Sequence, residues 1–194
     1  MQPRHLPKLD FTHKRLQSMT AKIATNEREF TGQVVSWLNE LLDHGAYPFR
    51  EITGETTIHT GKKKLRFPDV QLWLNRKAGL AFCGWECKPP TVAVDDSELL
   101  GNAAEKARAI RADFFVTWNM RDTVIWRTPP VGQNVTHTHR YYAYGSLTDI
   151  REIEDLWDEA CHAQLRERAA QILRDMAILH REGHLNLEPV SKLL

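Results

Sequence analysis

Two β-rich runs joined by a short polar turn constrain the fold of this chain more than any other feature. Leu65–Leu74 and Leu80–Lys88 are rich in apolar and aromatic residues, and Asn75–Gly79 between them has the composition of a turn. The next two residues are prolines, which have no backbone N–H to donate, so the second strand should stop at Lys88 or just after it. The sequence therefore predicts an antiparallel hairpin with an abrupt end.

Helical and strand-like segments surround this hairpin. A helix is predicted to begin near Thr25–Asn26 and to end at about Gly45, and Asn26 with Glu29 has the spacing of a capping box. A strand-like run, Glu51–Thr60, follows it. One apolar stripe at 3.6-residue spacing marks the buried side of the helix: Phe30, Val34, Trp37, Leu38 and Leu41.

After the hairpin, a second helix is predicted from Ser97 to Ile110, with Asp95 and Glu98 as its capping box. Two short strands, Phe114–Trp118 and Thr123–Trp126, come next, and Val135–Tyr144 is a possible edge strand. This order of elements predicts an α/β fold with a central mixed sheet flanked by helices.

Composition limits the partners and the compartment. The formal net charge of +1 over 194 residues gives no bulk electrostatic case for nucleic-acid binding, so a local patch or a partner would have to supply much of the affinity. Three cysteines without a C-x-x-C spacing argue against a disulfide framework and a cysteine zinc site. The N-terminus lacks the apolar stretch of a signal peptide and no apolar run could cross a bilayer, so we predict a cytoplasmic protein without membrane contact.

Charged residues gather around the end of the hairpin. Side chains alternate along a strand, so Glu86 and Lys88 should share one face with Phe82 and Gly84. If the two runs pair as a hairpin, Asp69 lies close to Glu86, and two carboxylates and one ammonium group converge. The alternative is a surface ion pair beside an ordinary strand bend.

Two adjacent carboxylates favour a hard divalent cation with oxygen ligands, and Mg²⁺ is the cation we expect, with Mn²⁺ as a substitute. Asp69, Glu86 and the backbone carbonyl of Cys87 are the predicted metal ligands. Such an ion would lower the pKa of a bound water and neutralise charge on a phosphate. Lys88 would orient that water or stabilise the developing negative charge.

Pro68-Asp69 and Glu86-Cys87-Lys88, in this order of elements, resemble the motif of the PD-(D/E)XK nuclease superfamily, which includes many restriction endonucleases. The resemblance covers about residues 25–127. It implies a restriction-endonuclease-like core, Mg²⁺-dependent hydrolysis of DNA that leaves 5′-phosphate ends, and an acid on the first helix that helps to hold the metal-bound water.

Glu27 and Glu29 compete for the role of that acid. Glu27 lies on the predicted buried stripe, whereas Glu29 lies almost opposite it and has a structural role in the capping box. A carboxylate that faces inward needs a partner, because burying it unpaired is expensive. We therefore predict Glu27, together with Asp69, Glu86 and Lys88, as the catalytic set.

The resemblance and the composition also suggest an organisation and a context. Residues 1–24 would be a basic N-terminal arm, 25–145 the nuclease domain, and 146–194, which is predicted to be helical from Leu147 to about Glu182, a helical extension or linker. The segments FFVTWN and TVIWR look like nuclease domains fused to restriction and modification proteins. A cleavage module of a restriction or defence system would take sequence recognition from further domains or subunits.

Several other residues are weaker candidates. Five polar side chains would contact DNA, as a phosphate clamp or from the second helix: Lys62, Lys63, Lys64, Asn102 and Lys106. His137 and His139 could share a strand face and bind zinc, although no third ligand has a telling spacing. Two other functions stay open, a catalytically degenerate nuclease fold that binds DNA or protein and a homodimeric repair or junction-resolving nuclease.

Overall fold

The computed structural model describes the backbone of residues 11–55, 57–60 and 63–184, and the side chains of residues 27–55 and 67–184. The helices of this part are α1 (Phe11–His44), α2 (Ser97–Ala109) and α3 (Glu159–Arg181). The strands are β1 (Glu51–Gly54), β2 (Thr57–Thr60), β3 (Lys63–Arg66), β4 (Val70–Asn75), β5 (Leu80–Cys87), β6 (Phe114–Trp118), β7 (Thr123–Arg127) and β8 (Arg140–Ala143).

Six of the strands form one mixed, open sheet in the order β1-β4-β5-β6-β7-β8. The strands β5 and β6 are parallel and the other neighbours are antiparallel, whereas β2 and β3 form a separate hairpin. The predicted α/β class and the hairpin of β4 with β5 are therefore confirmed. Because two parallel neighbours need a crossover connection, the chain passes through α2 between β5 and β6.

The two faces of the sheet are covered by different helices. On one face, α1 and α3 pack over a large apolar cluster that includes Trp85, Cys87 and Trp118. On the other face, α2 packs over smaller apolar clusters that include Phe115 and Trp126. Both Trp118 and Trp126 are fully buried.

Phe82 corrects one prediction about β5. It was expected to share the face of Glu86, but it packs in the cluster under α1 and α3, where its ring centroid lies 5.2 Å from that of Phe49. The cause is an irregular register, since Leu72 pairs with Cys83 and Trp73 with Ala81, so Phe82 is an extra residue in β5. Alternation holds from Cys83 onward, which preserves the predicted faces of Glu86 and Cys87.

The start of the first helix was predicted wrongly. The helix α1 already includes residue 11, so Asn26 lies inside it and cannot act as an N-cap. No glycine or proline interrupts residues 11–26, and nothing local therefore ends a helix there. Residues 11–24 of the predicted basic arm are helical, and residues 1–10 lie outside the described part.

Strand lengths and caps also differ from the predictions. Glu51–Thr60 divides into β1 and β2, and Leu65–Leu74 divides into β3 and β4 around Pro68, which cannot donate a ladder hydrogen bond. The N-cap of α2 is Asp96 rather than Asp95, and its carboxylate accepts hydrogen bonds from the N–H groups of Glu98 and Leu99.

The C-terminal part packs on the body of the domain. Only residues 159–181 of the predicted helical stretch form α3, after a short 3-10 turn at Ile153–Trp157. Leu165, Ile172 and Met176 of α3 lie in the same apolar cluster as the buried residues of α1. None of the helices in the described part of the chain is both long and apolar enough to cross a membrane.

Candidate active site

The predicted site residues meet at one end of the sheet, where β4 begins and β5 ends. Val70 pairs with Trp85 in the antiparallel register, so the next pair outward sets Asp69 opposite Glu86. Glu86 is only 3% exposed and is therefore not part of a surface ion pair. The predicted approach of the two carboxylates follows directly from this register.

Asp69 is held by the backbone and by the proline before it. The N–H of Cys87 donates a hydrogen bond of 2.9 Å to Oδ2 of Asp69. Pro68 is buried against Gly84, and a Cβ added to this glycine would lie 2.3 Å from Cγ of Pro68. The missing side chain at residue 84 thus lets Pro68 sit on β5 and fixes the position of the carboxylate of Asp69.

Lys106 of α2 joins the two carboxylates. Its Nζ donates hydrogen bonds of 2.8 and 2.7 Å to Oε1 and Oε2 of Glu86, and it lies 3.5 Å from Oδ1 of Asp69. Burial, and then the charge of Asp69, raise the pKa of Glu86 to about 7, against the opposing effect of Lys106 and Lys88. The Lys106 ammonium therefore compensates part of the cost of burying this charge.

Lys88 forms a second ion pair, with Glu27 of α1. Its Nζ donates a hydrogen bond to Oε1 of Glu27, and both side chains are about one quarter exposed, at 25% and 27%. Burial lowers the pKa of Lys88, but the hydrogen bond to Glu27 and the charges of Asp69, Glu27 and Glu86 together raise it above its ordinary value. Lys88 is thus an ammonium group at neutral pH and suits charge stabilisation, not proton abstraction.

Open clefts flank this row of charges on two sides. One, of about 550 Å³, lies along α2 and is lined by Glu86, Lys88, Lys106 and other residues. The other, of about 560 Å³, lies between α1 and the start of β4 and includes Glu27 and Asp69. A polymer that crosses this end of the sheet would have space on either side of the carboxylates.

The carboxylate pair fits a magnesium ion. Within the described residues no three His, Cys, Asp or Glu side chains gather to hold a metal, but Mg²⁺ commonly uses one or two carboxylates with water and substrate oxygens. Asp69 and Glu86 offer such oxygens, and both already contact one cation, the ammonium of Lys106. The thiol of Cys87 does not suit a ligand, because burial and then the charges of Asp69 and Glu86 raise its pKa, so only its backbone carbonyl fits the prediction.

The other residues that were predicted to contact DNA or zinc do not all lie beside the site. Asn102 is exposed and lines the cleft along α2. Lys62, like the side chains of Lys63 and Lys64, falls outside the described residues. His137 and His139 lie in a short 3-10 turn, where His139 accepts a hydrogen bond of 3.1 Å from the N–H of Thr136.

The contact of Lys106 with the carboxylates was not predicted from the sequence. A signal was present, because Lys106 falls on the buried stripe of α2 at helical spacing from Leu99, Ala103 and Ile110. A charged residue on such a stripe needs a partner, by the same reasoning that favours Glu27 on α1. Glu27 is half-buried and paired with Lys88, whereas Glu29 is exposed.

Comparisons of this chain with protein-family models, with curated proteins and with solved structures found no match.

Proposed function

We propose that this chain is a divalent-metal-dependent endonuclease domain that hydrolyses DNA phosphodiester bonds, with a restriction-endonuclease-like core. One observation supports the proposal: at one end of the sheet the structure brings together Asp69, Glu86 and Lys88. These are the charged residues of the two sequence segments that resemble the PD-(D/E)XK nuclease motif. Glu27 joins them through its ion pair with Lys88.

Each side chain would have a defined task in hydrolysis. Asp69 and Glu86 would hold Mg²⁺ or Mn²⁺, with the Cys87 carbonyl as a further oxygen ligand, and the ion would activate water and neutralise phosphate charge. Lys88 would stabilise the charge that develops on the phosphate, because it is positively charged at neutral pH. Glu27 would help to hold the metal-bound water, as the resemblance implies, and its ion pair with Lys88 would direct the ammonium of that lysine.

The domain would act as the cleavage module of a restriction or defence system. Its formal net charge of +1 supplies little of the long-range attraction that a lone DNA-binding protein uses. Further domains or subunits would therefore hold the DNA and recognise its sequence, while this chain contributes the hydrolytic site.

A cleavage assay tests the proposal. Supercoiled plasmid is incubated with Mg²⁺ or Mn²⁺ and with the wild type, Asp69→Asn or Lys88→Met. We expect each substitution to lower the nicking rate by a factor on the order of a hundred to a thousand, as loss of one electrostatic contact in a transition state does. Glu27→Gln should also slow nicking.

The matched control is Glu29→Gln, which removes an exposed acid two positions from Glu27 on the same helix. It should nick at the wild-type rate. Equal metal-dependent nicking by the wild type, Asp69→Asn and Lys88→Met would refute the assigned site. Circular dichroism of each variant separates loss of chemistry from loss of folding.

The alternative is a catalytically degenerate domain that binds DNA or protein. The ion pairs that already neutralise Glu86 and Lys88 favour it, because a binding module has no need of free carboxylates. Metal-independent DNA binding in a gel-shift assay, without nicking under any metal, would favour this alternative.

A further inference from the structure

We propose that Lys106 occupies the cation-binding position of the candidate active site, so that a divalent metal ion binds only by displacing its ammonium group. The inference rests on the proposed function for the presence of a metal. In this role Lys106 sets the metal concentration at which the site becomes occupied.

The contacts of Lys106 define this position. Both carboxylate oxygens of Glu86 accept hydrogen bonds from its Nζ, at 2.8 and 2.7 Å, and Oδ1 of Asp69 lies 3.5 Å away. The other oxygen of Asp69 is engaged by the N–H of Cys87. The ammonium therefore takes up the oxygens that the carboxylate pair would offer to a metal.

An ammonium group and a metal ion cannot share these oxygens. Mg²⁺ binds oxygen at about 2.0–2.1 Å, so an ion on Glu86 and Asp69 would lie against the present position of Nζ. Two cations at such a separation repel strongly in a partly buried site. Metal binding thus requires that Lys106 leave Glu86.

Lys106 has space and partners for such a movement. Its four-carbon stem is flexible, so the ammonium can swing without a shift of α2. The cleft along α2 is open, and its lining includes Asn102, one helical turn before Lys106, whose side-chain oxygen could receive the group.

The role predicts tighter metal binding when the charge is removed. The test compares the wild type with Lys106→Gln and Lys106→Met in Mn²⁺ titrations followed by electron paramagnetic resonance and by calorimetry, without DNA. Measurement at about pH 8.5, above the pKa of about 7, keeps Glu86 of the wild type largely ionised, so that protons compete little with Mn²⁺ there. We expect the Kd for Mn²⁺ to fall by roughly tenfold or more in both variants, since hydrogen bonds of a charged donor to a buried carboxylate no longer compete.

Two further variants serve as controls. Lys77→Gln removes a lysine from the exposed turn between β4 and β5, at the far end of the hairpin, and should leave the Kd for Mn²⁺ unchanged. Lys106→Arg keeps the positive charge and should not tighten binding. Thermal unfolding without metal checks that each protein folds, and added Mn²⁺ should raise the Tm of Lys106→Gln more than that of the wild type.

The outcomes separate this inference from the proposed function. Equal or weaker Mn²⁺ binding by folded Lys106→Gln and Lys106→Met, with clear binding by the wild type, would overturn the role of Lys106 alone. Absence of binding by every protein up to millimolar Mn²⁺ would overturn the metal site and with it both proposals.

Discussion

The two faces of β5 are equally buried but carry opposite chemistry. Trp85 and Cys87 have no exposed surface and lie among apolar side chains under α1 and α3, whereas Glu86 between them, 3% exposed, meets the Lys106 ammonium on the other face. Apolar burial stabilises the fold directly. Burial of a carboxylate is unfavourable without partners, so the second face sustains a site at a cost in stability.

The largest expected effect comes from opening a cavity in the apolar face. Trp118 is fully buried, and its ring centroid lies 5.0 Å from that of Phe30 and 6.3 Å from that of Trp85. Trp118→Ala should lower the free energy of unfolding by about 3–5 kcal/mol, because the neighbouring side chains cannot close the space. Urea denaturation measures the change. The control is Trp157→Ala at a tryptophan that is 60% exposed, where a comparable loss would contradict this view of the core.

The next effect concerns the polar face and depends on pH. The pKa of Glu86 is raised from 4.5 to about 7 in the folded chain, so its contribution to stability is greatest below pH 4.5 and is lost as the pH rises through 7. Glu86→Gln does not titrate. In the presence of EDTA, the free energy of unfolding of Glu86→Gln minus that of the wild type should therefore increase as the pH rises from 4.5 through 7, by up to about 3 kcal/mol.

Urea denaturation of the wild type and Glu86→Gln across this pH range gives the difference directly. The control Glu29→Gln alters an exposed acid, and its difference from the wild type should stay flat. A difference for Glu86→Gln that stays constant, or that falls with rising pH, would show that burial does not govern the ionisation of this carboxyl.

A smaller effect is expected where the two faces are linked by packing. Gly84→Ala would place a Cβ 2.3 Å from Cγ and 2.7 Å from Cβ of Pro68, whose ring cannot turn away. We expect a loss of about 1–3 kcal/mol in unfolding free energy and weaker Mn²⁺ binding, since a shift of Pro68 would also move the adjacent Asp69.

The matched control is Gly101→Ala, at an exposed helical glycine where an added Cβ would meet nothing within 4 Å outside its own helix. Alanine at this position should stabilise the protein. Unchanged Mn²⁺ binding by Gly84→Ala would separate Pro68 from the positioning of Asp69.

Features set by local pattern could be predicted from the sequence. The turn at residues 75–79 and the two prolines after Lys88 defined the hairpin of β4 with β5, and its register brought Asp69 opposite Glu86. The stripe on α1 correctly identified Phe30 as core and separated inward Glu27 from exposed Glu29. Such faces can be read from the sequence because apolar residues recur every 2 residues along a strand and every 3.6 along a helix when one face is buried and the other is exposed.

Features that depend on distant contacts could not be predicted in the same way. The extra residue at Phe82 reflects how β4 and β5 pair, and neither strand alone specifies it. The contact of Lys106 with Glu86 joins two elements twenty positions apart, and its distances follow from how α2 packs on β5. Helix periodicity places Lys106 on the inner face but does not name its partner.

The connection between β5 and α2 fixes where α2 begins, and so determines which of its side chains faces Glu86. The side chains of Thr117 and Asn119 donate hydrogen bonds to the carbonyls of Val94 and Val92, at 2.8 and 2.7 Å, and so anchor the chain just before the Asp96 cap. Because the helix begins at this fixed point, the number of residues that follow Asp96 determines which side chain points at Glu86. A single inserted residue between Asp96 and Lys106 would turn the rest of the helix by about 100° and aim another side chain at the carboxylates. Such an insertion would therefore break the contact of Lys106 with Glu86 even if every other side chain of α2 were kept.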